Sequence, residues 1–143
     1  MTRIYLDSSA LMKRVFAEAE SGALRDGLMR AHEAETHLVT SSLARVEVAR
    51  ATRTRIDAGL PANATLAATD AMDGIATAHL TRAIMESART IGPPVLRTLD
   101  AIHLATAVAL TADEIWTYDA RMAQTAEELG IPVRAPGRDS IAG

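Results

Sequence analysis

Arg3-Ile4-Tyr5-Leu6-Asp7-Ser8-Ser9-Ala10-Leu11-Met12 is the stretch that decides the fold of this chain. Arg3 to Leu6 is a short run containing β-branched and aromatic side chains, which favours a strand. It ends abruptly at the polar Asp7-Ser8-Ser9. Leu11, Met12, Val15 and Phe16 then recur at helical spacing, so a strand is expected to pass through an acid directly into a helix.

The same alternation continues outward. Ser21 is expected to cap a second helix carrying Leu24, Leu28 and Ala31 on one side. His37 to Thr40 reads as a second strand, and Ser41 or Ser42 as the cap of a long helix stopped near Ala58 by Gly59 and Pro61. An alanine-rich helix over Ala62 to Met72 follows, broken at Asp73-Gly74, with Ile75 to Thr77 extended. Thr81 to Ile91 forms a helix ended by Gly92-Pro93-Pro94, and Thr98 is expected to cap the helix running to about Leu110. Glu114 to Thr117 is a strand, Asp119 to Leu129 a helix, and Ile131 to Arg134 a last short strand. Short strands alternating with helices imply a parallel sheet covered on both faces, an α/β three-layer α/β/α sandwich. Residues 1–136 are expected to form one domain and 137–143 a C-terminal tail, the Pro136-to-Gly143 end being poorly ordered.

With 143 residues the chain has room for one core and little more. No apolar run reaches the length of a membrane span, and Asp7 comes too early for a signal peptide. Cysteine is absent, which excludes disulfide scaffolds, thiolate metal sites and cysteine nucleophiles, and fits a cytoplasmic protein. The net charge of −3 gives no positive argument for a nucleic-acid partner. It does not exclude one: with four acids set aside as metal ligands, the −3 becomes +1 over the rest of the chain. Aromatic residues are only 3% and scattered, which counts against modules that stack bases on aromatic platforms. Any RNA contact should be to backbone and shape, or directly to metal.

Ligands of open parallel sheets bind outside the carboxyl ends of the strands. Asp7 follows the first strand and Asp119 the strand ending at Thr117, while Asp100 and Glu47 lie near the starts of two helices. Acids from four distant segments can thus meet at one sheet edge. Hard oxygen ligands in that arrangement suit magnesium or manganese, and clustered carboxylates without a cation would repel each other. Each acid also has a plainer use. Asp7 and Asp119 can be helix N-caps, Asp100 can complement a helix dipole, and Glu47 can be a solvated residue paired with Arg50. His103, one turn after Asp100, reads as a satisfied packing residue. No phosphate-binding glycine loop is present.

These segments resemble the motifs of PIN-domain ribonucleases of the VapC toxin type. Ile4 to Leu11 is similar to the opening motif, Leu43 to Val48 to the second acidic motif, and Leu96 to Ala105 to the third. Trp116 to Arg121, followed by Ala126 to Ile131, is similar to the fourth. The likeness runs from about Ile4 to Pro136. It implies a PIN fold and Mg2+- or Mn2+-dependent RNA cleavage, with metal held by Asp7, Asp100, Glu47 and Asp119. It also implies that Thr117 organises the site and that a cognate VapB-like antitoxin neutralises the protein, with a homodimer expected. Arg97 is a candidate phosphate contact or a structural ion pair. The competing readings are a catalytically silent PIN-like interaction domain and a phosphatase with Asp7 as nucleophile. The phosphatase pattern wants a second acid where Ser9 stands. The apolar residues of Leu11 to Phe16 and Leu24 to Ala31 are expected to exceed what the core needs and to line an antitoxin groove.

Overall fold

The computed structural model describes residues 1–138. In chain order the elements are β1 (Arg3–Leu6), α1 (Ser8–Met12), α2 (Ser21–Glu33), β2 (His37–Ser41), α3 (Ser42–Asp57), α4 (Ala64–Asp70), β3 (Ala76–Ala78), α5 (Arg82–Ala88), α6 (Thr98–Ala109), β4 (Glu114–Trp116), α7 (Ala120–Glu128) and β5 (Val133–Arg134). The strands form one sheet in the order β3-β2-β1-β4-β5, and every pairing is parallel. All five carboxyl ends therefore lie along one edge. The chain leaves β1 toward β2 and β3, then crosses back to β4 and β5, so the order reverses beside β1.

Strand alternation sorts the side chains into two cores. Ile4, Leu6 and Trp116 point to one face, where they pack with Leu11, Leu24, Leu28, Ala44, Val48 and Ile75. Tyr5, Val39 and Ile115 point to the other, against Leu96, Leu104, Met122 and Ala126. Helices α1 to α4 thus supply one layer and α6 and α7 the other, which is the α/β/α sandwich. Gly27 sits in mid-helix for a packing reason: a Cβ there would lie 3.0 Å from the Trp116 ring. No helix among the described residues is long and apolar enough to cross a membrane.

Several local expectations need correction. Helix α1 stops at Met12; Val15 and Phe16 lie in turns beyond it. Ser21 is the first helical residue of α2 and not its cap. Its hydroxyl donates to the Phe16 carbonyl and accepts from the Glu18 amide, stapling the loop. Arg97, not Thr98, occupies the cap position of α6, with no side-chain cap bond. Most of the apolar surplus expected between Leu11 and Ala31 is used internally: Leu11, Phe16, Leu24, Leu28 and Ala31 are buried, and Met12 and Val15 are partly buried. The start of the tail is tied down. Pro136 is buried and its carbonyl accepts from the Tyr118 hydroxyl, while Arg138 donates to Glu20. The remainder of the expected disordered tail, 139–143, lies outside the described residues.

Candidate active site

Asp7 emerges from β1 at the carboxyl edge and is buried, at 3% exposure. It does cap α1, its Oδ1 accepting from the Ala10 amide at 3.0 Å. The cap is only part of its environment. Oδ1 also accepts from the Ser9 hydroxyl at 2.6 Å, and Oδ2 from the Thr117 hydroxyl at 2.5 Å. Burial pushes its pKa upward, partly offset by His103 and by these donors. Thr117, just beyond β4, links two segments. Its oxygen accepts from the Asp119 amide at 3.1 Å, so one hydroxyl ties Asp7 to the turn carrying Asp119. Asp119 in turn caps α7 through Oδ1 and the Met122 amide. For both aspartates the capping reading is correct, yet it does not account for their meeting across β1 and β4.

Ser9 belongs with this group. Besides donating to Asp7, its oxygen accepts from the Tyr118 amide at 2.9 Å. The only signal in the sequence was a small hydroxyl two residues after the acid, in the first turn of a helix.

Asp100 lies in the first turn of α6 and is half-buried. Its pKa is pushed up to about 6, first by burial and then by the charges of Asp119, Asp7 and Glu47, with His103 pulling the other way. Electrostatically, then, the four acids share one neighbourhood. Glu47 on α3 does not pair with Arg50. Its Oε1 is 2.5 Å from Nε2 of His103. His103 is 1% exposed, and its Nδ1 is 2.6 Å from the hydroxyl of the fully buried Tyr5. The packing role expected for His103 is real, but one of its partners is an acid of the candidate site. Arg97 is exposed and makes no ion pair among the described residues.

The donor set is chemically suited to a hard divalent cation: four carboxylates, with mutual repulsion that a cation would relieve. Among the described residues, no three acid or histidine side chains already close into a metal cage. Asp7 is held by Ser9, Thr117 and Ala10, and Glu47 by His103 through Oε1 alone, so coordination would use the remaining lone pairs as the carboxylates draw together.

A parallel sheet with acids at its switch point is the class of architecture, and the chain's family follows. The PIN-domain family model matches residues 4–128, and the chain belongs to the PIN-domain family. It is similar to Ribonuclease VapC46 of Mycobacterium tuberculosis, 42% identical over 138 residues, covering 95% of this chain and 99% of that protein. Ribonuclease VapC35 of the same organism is 41% identical over 142 residues, covering 94% and 98%. Among solved structures, VapBC2 from Rickettsia felis bound to a promoter DNA fragment has a TM-score of 0.70 at 8% identity, covering 94% of this chain and 99% of that one. Mycobacterium tuberculosis VapC20, described as a sarcin-ricin loop cleaving toxin, has a TM-score of 0.62 at 16% identity, covering 85% and 93%. At those identities the two structures show a shared fold.

Proposed function

We propose that this chain is a Mg2+- or Mn2+-dependent endoribonuclease that hydrolyses RNA phosphodiester bonds and acts as the toxin of a toxin–antitoxin pair. The observation that carries this reading is the convergence of Asp7, Asp119, Asp100 and Glu47 at one edge, where Asp100 is pushed up first by burial and then by the charges of the other three. Four carboxylates from four segments are gathered at the edge where parallel sheets bind ligands. The similarity to VapC ribonucleases over nearly the whole chain supports the RNA substrate.

Asp7, Asp100, Glu47 and Asp119 would hold the ion, which when bound supplies positive charge to activate water and to offset charge on the phosphoryl oxygens. The protein's own contribution is positioning. Ser9 and Thr117 fix the Asp7 carboxylate, and Thr117 also fixes the Asp119 turn. Arg45, Arg50 and Arg53 are exposed on α3 and carry no ion pair among the described residues. They line the clefts between α3 and α4 and offer phosphate contacts on the helix that carries Glu47. Water would displace the ribose oxygen from phosphorus without a covalent enzyme intermediate.

The phosphatase alternative needs an aspartate oxygen free to attack. Both oxygens of Asp7 are already engaged by donors, and Ser9 replaces the second acid. A silent interaction domain could use Asp7 and Asp119 as caps and Glu47 as the partner of His103, but it gains nothing from an Asp100 carboxyl half-buried among them. The proposed partner is a VapB-like antitoxin, in keeping with the VapBC2 complex; homodimerisation and a cytoplasmic location accompany the reading. The 1–136 unit with a short tail is retained as the proposed domain division.

Incubating a whole-cell RNA pool with the purified protein and Mn2+, then sequencing the new ends, tests the reading. Discrete cleavage sites that vanish with chelator and in a folded Asp100→Asn variant are expected. Chelator-insensitive cleavage, or none by the metal-loaded wild type, would overturn it.

A further inference from the structure

Tyr5, His103 and Glu47 come from β1, α6 and α3, and they make a chain of two short hydrogen bonds from the core to the acidic edge. The phenol is wholly buried, its hydroxyl 2.6 Å from Nδ1, and Nε2 is 2.5 Å from Glu47 Oε1. The two rings meet edge-on, with centroids 5.8 Å apart. Of the four acids, Glu47 is the glutamate, with the longest side chain and the most rotamer freedom to lose.

When Glu47 is ionised its carboxylate can only accept, and Nε2 then carries the hydrogen. A neutral imidazole with hydrogen on Nε2 has an acceptor at Nδ1, and the Tyr5 O–H fills it. Burial and the Asp7 charge hold the Tyr5 pKa above its ordinary value, which keeps the phenol protonated.

We propose that His103 is a positioning residue, locked by Tyr5 in the tautomer that donates from Nε2, and that it holds the Glu47 carboxylate in place for the acidic site. The role of Glu47 as a metal ligand rests on the function proposed above; the tautomer and the orientation do not. A hydrogen-bonded partner behind a ligating carboxylate lowers the cost of ordering it, and losing such a partner weakens metal binding by roughly 10- to 100-fold. His103→Leu removes the donor. His103→Gln puts an amide N–H close to where Nε2 stood and should restore most of the effect. Tyr5→Phe leaves the imidazole in place and removes only the lock.

Nitrogen-15 NMR of the metal-free protein reads the tautomer directly, with His103 assigned by the signal lost in His103→Gln. The expected result is hydrogen on Nε2 in the wild type and a mixture in Tyr5→Phe. Hydrogen on Nδ1 in the wild type would overturn the proposal. Mn2+ titration by calorimetry should then give wild type tightest, His103→Gln near it and His103→Leu weaker by the factor above. Should His103→Leu fail to fold, Tyr5→Phe carries the titration with a smaller loss. Wild-type Mn2+ affinity in both Tyr5→Phe and a folded His103→Leu would equally overturn it. If RNA is not cleaved while the tautomer and the metal affinities behave as expected, the nuclease reading fails and this inference stands.

Discussion

At the scale of single residues, the site sets charge against burial. The Asp100 carboxyl is pushed up to about 6 from an ordinary 3.8, first because burial opposes its ionisation and then because Asp119, Asp7 and Glu47 lie close by. The folded state therefore holds this proton more tightly than the unfolded chain does. Above about pH 6 the ionised group burdens the fold; as pH falls from there toward 3.8 the burden lifts. Without metal, Asp100→Asn should melt above the wild type at about pH 7.5, and the gap should close by about pH 4.5. With Mn2+ the order should reverse, since a ligand bound only by the native state stabilises the protein that binds it better. Cleavage by Asp100→Asn should fall by more than roughly 100-fold, beyond the usual effect of losing an outer hydrogen-bond partner. Melting curves with and without Mn2+ at the two pH values, together with a cleavage assay, check all three. A variant that melts below the wild type without metal would show that Asp100 is not under repulsion.

At the scale of elements, α3 shows what could be read beforehand and what could not. Ser41 as its cap, with Gly59 beyond its end, was legible because capping hydroxyls and a glycine of positive φ act locally. Ser21 and Thr98 looked like equally good caps and are not. The Ser21 hydroxyl is spent on Phe16 and Glu18, a tertiary arrangement that local pattern does not encode. The same limit applies to Val15 and Phe16: their helical spacing is real, yet α1 ends at Met12, and Lys13 just beyond it reaches Glu18 and Glu20. The four acids were individually ambiguous, and two of them are caps as well. Their convergence came from topology, since a parallel sheet brings all carboxyl ends to one edge. The link from Glu47 to Tyr5 through His103 spans three elements and left no trace but a histidine one turn after Asp100. What α3 adds beyond Glu47 is charge. An exposed ion pair is worth up to about 1 kcal/mol, so Arg50→Ala combined with Arg53→Ala should raise KM for RNA by roughly tenfold. The salt dependence of binding should weaken and kcat should hold. A lower kcat at unchanged KM would place these arginines outside the RNA path.

Across the whole molecule, the loop between α1 and α2 is clamped to Arg138 by one charge network. Lys13, 8% exposed, donates to Glu18 at 2.8 Å and Glu20 at 3.0 Å; Arg138 donates to Glu20 at 2.7 Å and stacks near Tyr118. Arg55 joins from α3, over the Phe16 ring and near Glu18. Arg138 and Lys13 together lower the Glu20 pKa to about 2 from an ordinary 4.5. The sign is opposite to that of Asp100. A depressed carboxylate contributes stability above its unfolded value, and that stability is lost as pH falls from about 4.5 toward 2. The two groups act in different windows, so the metal-free protein should gain stability on mild acidification as Asp100 takes up its proton. It should then lose stability on stronger acidification as Glu20 does. Glu20→Gln should flatten the second limb and leave the first, because Lys13 keeps Glu18 and is not stranded. Cleavage at neutral pH should be unchanged, since Glu20 bonds to Lys13 and Arg138 and to none of the four acids. Melting temperature followed from about pH 7 to about pH 2 in both proteins decides the matter. Parallel curves below about pH 4.5 would mean that the clamp adds nothing to the fold.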